Sequence, residues 1–326
     1  MSRKPFVPDP RFTKLFPDVS GNTVNGLGET EVRRPSPFFW HPPSKHKFGA
    51  LQKEVIDYQR VSPAIREHFS HEAPRGPKPI ERAPVEVQRP AEEWSSQIKA
   101  FALAHEGDLV GITPMSEAYL YEGYELPHRW LIMIGVSMDH DELSQAPSTY
   151  ENPAAAVEVA RQYNRASRVC RELCNYILAQ GFEATPWPGP FASALNMIPA
   201  AIAAGLGQLG KHGSMINRTW GSSFRLSAVS TDLPLVADGR DDFGSEDFCT
   251  RCQICTKACP PGALSDDKRM VRGVEKWYVD FDKCIPYFGE AMGCAICLAV
   301  CPWSKPGTAP RLAGKMLKRR ERKSQP

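Results

Sequence analysis

CTRCQICTKACP at 249–260 and CIPYFGEAMGCAICLAVCP at 284–302 decide how this chain is built. Eight of its ten cysteines lie in these two runs: Cys249, Cys252, Cys255 and Cys259, then Cys284, Cys294, Cys297 and Cys301. The first run reads C-x2-C-x2-C-x3-C-P. The second closes as C-x2-C-x3-C-P, with Cys284 standing upstream. Close Cys-x2-Cys steps wrap thiolates round three corners of a [4Fe–4S] cube, and the Cys-x3-Cys step carries the fourth sulfur away to a second cube. The spacing therefore predicts two crossed sets. Cys249, Cys252, Cys255 and Cys301 hold one cluster, and Cys284, Cys294, Cys297 and Cys259 hold the other. Pro260 and Pro302 redirect the chain after the remote ligands. A disulfide scaffold belongs to small secreted domains, whereas this chain is long and has no Cys before Cys170. A zinc ribbon uses two C-x2-C pairs instead.

The remaining composition sets bounds. At 326 residues, with 42% hydrophobic content, one large or two modest domains fit. A net charge of +3 is too small to argue for nucleic acid. No apolar run reaches membrane-spanning length, and the opening MSRKPFVPDPRF lacks a signal-peptide core. Arg33-Arg34 is followed by Pro35, Ser36 and Pro37, not by the apolar stretch of an export signal. A cytoplasmic protein without membrane or nucleic-acid partners is the expectation.

Residues 1–95 carry fourteen of the thirty prolines together with Phe6, Phe12, Phe16, Phe38, Phe39 and Trp40. That density of aromatics predicts an extended arm wrapped on the next domain, with one short helix near 49–60. From 96 to 240 the chain reads as globular. Asp108–Ile112 and Trp130–Met138 are buried strands by length and composition, and Phe224–Thr231 is another. Asn152 and Pro153 open a helix that Gly181 stops near Gln180. Cys170 and Cys174, one turn apart on it, read as buried packing groups rather than ligands.

Residues 192–210 predict a small-residue helix kinked at Pro199 that breaks into a glycine turn. Gly205, Gly207 and Gly210 match G-x-G-x-x-G, but they close a helix instead of opening one, so a dinucleotide loop is excluded. Such a turn either lets the backbone approach something large and flat or packs against protein. From Ala184 to Thr231 there is no Asp or Glu, while Lys211, His212, Arg218 and Arg225 are present. A cavity lined by this stretch would favour an anion and would need its proton from elsewhere. Tyr150 and Tyr163 are the candidate phenols upstream of it. Residues 241–308 form the cysteine module, and 309–326 is a basic tail expected to be a solvated helix or a frayed end.

Taken together, these segments resemble the corrinoid- and iron–sulfur-dependent reductive dehalogenases. The likeness runs from GDLVGIT (107–113) through ARQYNRASRVCRELCNYILAQGFEA, AGLGQLGKHGSMIN (204–217), STDLPL (230–235) and FGSEDFC (243–249) into both cysteine runs. The related epoxyqueuosine reductases share AGLGQLGKHG, TDLPL and GCAICLAVCPW, but carry an acidic proton donor about fourteen residues before the glycine turn. That place is near Phe191 here, inside the acid-free stretch. The resemblance implies an α+β protein, with a nitroreductase-like α/β corrinoid-binding core followed by a bacterial-type 2[4Fe–4S] ferredoxin domain.

It also implies a cobalamin held base-off, without a protein His on cobalt, since no D-x-H-x-x-G run is present. Gly205, Gly207, Gly210, His212 and Asn217 would lie on that cofactor. The family's tyrosine acid and basic partner would fall on Tyr150, with Tyr163 as rival, and on Lys211. The implied reaction is reductive removal of a halide from a small organohalide, fed by an external low-potential donor such as a ferredoxin, a flavodoxin or a reductase. An epoxide or aryl-ether reductase on the same scaffold, and a two-cluster electron carrier without corrinoid, are the alternatives.

Overall fold

Aromatic side chains decide where the N-terminal segment goes. The computed structural model describes residues 6–69, 73–191 and 193–324; positions 1–5 and 70–72 of the expected arm, Ala192 of the small-residue segment and positions 325–326 of the expected tail lie outside these. Short helices α1 (Pro10–Thr13) and α2 (Gly21–Val24) begin at the side-chain caps of Asp9 and Ser20. They are followed by α3 (Gly49–Gln59) and α4 (Pro63–Phe69). Phe12, Phe38, Phe39 and Phe48 form a buried cluster whose wall includes Phe281 and Phe288 of the cysteine module.

Up to Phe69 the arm is fastened to the next domain, where Ser36 donates to Glu122 at 2.7 Å, Arg34 to the Tyr124 carbonyl at 3.0 Å and Asn164 to the His68 carbonyl at 3.0 Å, and also to the cysteine module. The Asn22 side chain stitches it there, accepting from Phe281 N at 2.8 Å and donating to Asp280 at 2.9 Å. Residues 73–90 run along the middle domain. Ile80 N donates to Asn175 at 3.0 Å, and Ala83 N to the Leu178 carbonyl at 2.9 Å.

Next come α5 (Ala91–Ala104), β1 (Leu109–Pro114), β2 (Trp130–Ser137), α6 (His140–Leu143), α7 (Ala154–Ala179), β3 (Ala184–Trp187), α8 (Met197–Ala203), the hairpin β4 (Gln208–Leu209) and β5 (Met215–Ile216), and β6 (Phe224–Thr231). The sheet is ordered β1-β2-β6-β3 and is antiparallel throughout, with Ile112 opposite Ile132 and Ile132 opposite Val229. Because β2 is covered on both faces it reads as the unbroken apolar run WLIMIGV. Ile132 and Ile134 meet Val169, Leu173 and Ile177 of α7, while Leu131 and Met133 meet Ala200 and Ala201 of α8. Each fully buried aliphatic side chain contributes about 1.5–3 kcal/mol.

The expected kink at Pro199 is absent. Pro199 stands in the first turn of a seven-residue helix, where its missing N–H leaves no hydrogen bond unmade. Cys170 and Cys174 are core, and burial pushes both thiols up to about 12.

The module that follows comprises α9 (Ser245–Arg251), α10 (Ile254–Ala258), the hairpin β7 (Arg269–Val271) and β8 (Val274–Lys276), α11 (Phe281–Glu290), α12 (Ile296–Ala299) and α13 (Thr308–Ser324). Helix α13 is more than a solvated tail. Ala309, Ala313 and Met316 pack with Phe243 and Trp303, and Arg320 pairs with Asp242 and Asp247, each at 2.7 Å.

Candidate active site

The eight module cysteines assemble into two groups of four thiols, with no disulfide joining them among the described residues. Cys249 stands in the field of Cys301, Cys255 and Cys252, and Cys255 in that of Cys301 and Cys252. Cys284 stands in the field of Cys294 and Cys259, and Cys297 in that of Cys294, Cys284, Cys255 and Cys259. Cys255 and Cys297 are therefore where the two groups approach each other.

Burial, then mutual repulsion, pushes Cys284 up to about 12 and Cys297 well above the ordinary thiol range. Burial likewise pushes Cys249 and Cys255 up to about 12 and Cys294 to about 11. Backbone N–H groups nonetheless point at several sulfurs: Ala263 N at Cys259 Sγ (3.3 Å), Lys211 N at Cys249, Ile296 N at Cys294 and Trp303 N at Cys301. Buried thiols that accept such bonds are a donor set suited to iron–sulfur cubes, whose sulfurs are tuned by hydrogen bonds of this kind. Met292, Gly293, Cys294 and Ala295 all have positive φ (48°, 109°, 51°, 66°), a strained run that turns Cys294 and Cys297 toward the same space.

The second group forms one wall of a partly open cavity of about 370 Å³. Cys259, Cys284, Cys294 and Cys297 all line it; of the first group, none does. Tyr163 and Val159 of α7 and Arg225 of β6 form a facing wall, His212 to Ser214 another, and Trp40, Arg60 and Phe191 close the rim. Among the described residues no Asp or Glu lines it. Side chains alternate along β6, so Arg225 points to the α7 side, and its guanidinium lies 5.4 Å from the Tyr163 ring centroid. Arg225 Nε has no hydrogen-bond partner among the described residues. The other flank of the Tyr163 ring is held by Gly189, where a Cβ would fall 2.6 Å from Cδ1 and Cε1.

This arrangement separates the residues that the sequence grouped. Tyr150 is 56% exposed on the turn before α7 and does not line the cavity, whereas Tyr163 does. Lys211 is buried away from it, with Nζ 3.6 Å from Asp266 and 4.9 Å from the Trp277 ring centroid. The glycine turn is filled by protein. A Cβ on Gly205 would meet the Gly239 carbonyl at 2.5 Å, one on Gly207 the Ile216 carbonyl at 2.2 Å, and one on Gly210 the His212 ring at 2.6 Å. Asn217 is a structural staple: it donates to the Leu206 carbonyl at 2.7 Å and accepts from Thr219 N and Trp220 N. Of the five residues expected on a cofactor, only His212 faces the cavity; it is bonded to Ser222 Oγ at 2.8 Å, and burial pushes it down to about 4.

Arg225 was visible as one of four basic residues in the acid-free stretch, and strand alternation was the signal that could have singled it out. The rim residues Trp40 and Arg60 carried no such signal.

The site is thus a cysteine-rich module with two thiol groups, one of them opening on an acid-free cavity beside an α/β layer. Residues 248–305 match the 4Fe–4S dicluster domain model. The tetrachloroethene reductive dehalogenase of Sulfurospirillum multivorans is 32% identical over 184 residues, covering 54% of this chain and 35% of that protein. The epoxyqueuosine reductase of Cyclobacterium marinum is 34% identical over 122 residues, 32% of this chain and 36% of that one. The chain thus spans about a third of the length of these curated relatives. Among solved structures, a catabolic reductive dehalogenase in complex with 3-bromo-4-hydroxybenzoic acid superimposes with a TM-score of 0.70 at 22% identity, over 91% of this chain and 46% of that one. The chain is a homologue of the reductive dehalogenases and, over a shorter span, of the epoxyqueuosine reductases; its fold is the mixed helix-and-sheet fold of the former with a 4Fe–4S domain.

Proposed function

We propose that this protein is a cytoplasmic, corrinoid- and iron–sulfur-dependent reductase that removes a halide from a small organohalide. The observation that carries this reading is the cavity itself: four thiols on one wall, a phenol with a guanidinium against its ring on another, and no carboxylate in the lining. The overall change is R–X + 2e⁻ + H⁺ → R–H + X⁻. In this reading the two thiol groups are the ligands of two [4Fe–4S] clusters. Electrons from an external low-potential protein enter at the first group, where Cys252 is partly exposed, cross between Cys255 and Cys297, and leave from the second group.

The layer over 96–240 is read as a nitroreductase-like corrinoid-binding core, and the cavity suits that group in kind. Its lining includes small and apolar residues (Ala155, Ala156, Val159, Gly213, Pro260) beside the cations and phenol already described, and the second thiol group adjoins them. When bound there, a corrinoid would supply the low-potential chemistry of carbon–halogen cleavage. Tyr163 Oη donates the proton to the reduced carbon. The Arg225 guanidinium favours the anion left on the phenol and gives the departing halide an adjacent cation. The apolar rim of Trp40, Phe69 and Phe191 keeps water from competing for that proton. No helix among the described residues is long and apolar enough to cross a membrane.

The test is anaerobic reconstitution with iron, sulfide and hydroxocobalamin, followed by halide assay on a panel of organohalides with a low-potential reductant. Corrinoid binding and one halide per two electrons are expected. Protein that assembles both clusters yet binds no corrinoid would instead be an electron carrier. Corrinoid binding without halide release from any organohalide, together with turnover of an epoxide or aryl ether, would move the activity to that chemistry.

A further inference from the structure

We propose that Lys211 sets the reduction potential of the first cluster, the one assigned to Cys249, Cys252, Cys255 and Cys301, and takes no part in proton transfer. This rests on reading those thiols as cluster ligands. Four observations converge on it. Lys211 is 1% exposed, yet its Nζ has no hydrogen-bond partner among the described residues. Its nearest carboxylate, Asp266, is 3.6 Å away, beyond hydrogen-bond range and half exposed. The ammonium is held instead over the Trp277 ring at 4.9 Å. Its own backbone N–H reaches Cys249, and its charge acts on Cys255.

A buried ammonium so poorly paired is costly unless a further negative charge sits beside it. A cube held by four thiolates is that charge, and both net charge and hydrogen bonds to sulfur tune cluster potentials. The other charged groups nearby are accounted for. Lys268 shares the Trp277 ring at 5.7 Å and pairs with Glu246. Asp266 accepts from Thr256 Oγ1 at 2.8 Å and from Gln253 Nε2 at 3.3 Å, which fixes it to α10, between Cys252 and Cys259. Lys211 and Asp266 thus form an opposed pair of charges next to one cluster. The second group also has a charge pair beside it, Asp280 next to Cys284 with Lys283 at 3.4 Å, but there the cation is exposed, whereas Lys211 is buried.

Redox titration followed by electron paramagnetic resonance on reconstituted holoprotein tests this without reference to turnover. Wild type should show two one-electron steps. Lys211→Met should move one step to lower potential and leave the other in place; Asp266→Asn should move the same step to higher potential. Opposite signs cannot come from a merely structural role. If Lys211→Met fails to assemble its clusters, Asp266→Asn decides alone, and an unchanged or lowered step overturns the proposal. Both variants unchanged, or both shifted in the same direction, also overturns it. Wild type that holds no cluster at the first group would remove the ligand reading and this inference together, an outcome told apart by iron content.

Discussion

The two thiol groups carry nearly the same spacing and live in opposite surroundings. The first packs under Phe243, Trp277 and Trp303 and receives the Lys211 backbone and the Ser222 hydroxyl, the latter at 3.9 Å from Cys301 Sγ. The second stands open on a cavity whose far wall is Tyr163 and Arg225. Ligand spacing groups the sulfurs, while segments distant in sequence decide what each group faces. In the proposed function, the first group would receive electrons and the second would deliver them.

The sharpest break in this comparison is loss of a ligand. Cys294→Ala should abolish halide release while the first cluster remains visible. Cys301→Ala should disturb the first group, although Cys301 ends the second run. Wild type should hold about eight irons, two cubes of four. Loss of only the Cys284, Cys294 and Cys297 cluster in Cys301→Ala would mean that the sets are not crossed.

Next in size is the proton. General acid catalysis contributes about 10²–10⁴-fold, so Tyr163→Phe should lower turnover by that factor with corrinoid binding intact, and Tyr150→Phe should leave it unchanged. The reverse pattern would return the role to the exposed tyrosine. Gly189→Ala tests the same wall more gently. Its Cβ would push the Tyr163 ring aside, and misplacement by about 1 Å can cost about 10²-fold. Wild-type turnover in that variant would show that the ring position is not critical.

The smallest effect concerns His212, between Ser222 and the cavity. Burial lowers it from 6.5 to about 4, so the fold holds it neutral. Its contribution is complete above pH 6.5 and is lost as pH falls toward 4, because the unfolded state takes up a proton that the folded state refuses. Melting temperature against pH should fall less steeply over that window in His212→Gln; identical slopes would remove His212 from the account.

How far the sequence foretold this differs by segment. The cysteine runs are local, so their spacing foretold which thiols lie near one another. The strand at 130–137 was legible because burial on both faces leaves an unbroken apolar run, and those at 109–114 and 224–231 because they are short segments rich in β-branched and apolar residues. The glycine turn misled, because G-x-G-x-x-G reports close backbone approach without saying to what, and here the partners are the carbonyls of Gly239 and Ile216. Lys211 misled for a related reason. It follows that turn in sequence, but the β4–β5 hairpin carries it to the first thiol group. The cavity rim was illegible: Trp40 and Arg60 arrive from an aperiodic arm held by aromatic contacts to α11.

The claim that the second group alone serves the cavity can be tested by the magnetic coupling between bound Co(II) corrinoid and a reduced cluster in anaerobically reconstituted protein. The account predicts that Cys294→Ala weakens this coupling and that Cys301→Ala leaves it in place. Coupling that survives Cys294→Ala and disappears in Cys301→Ala would contradict it.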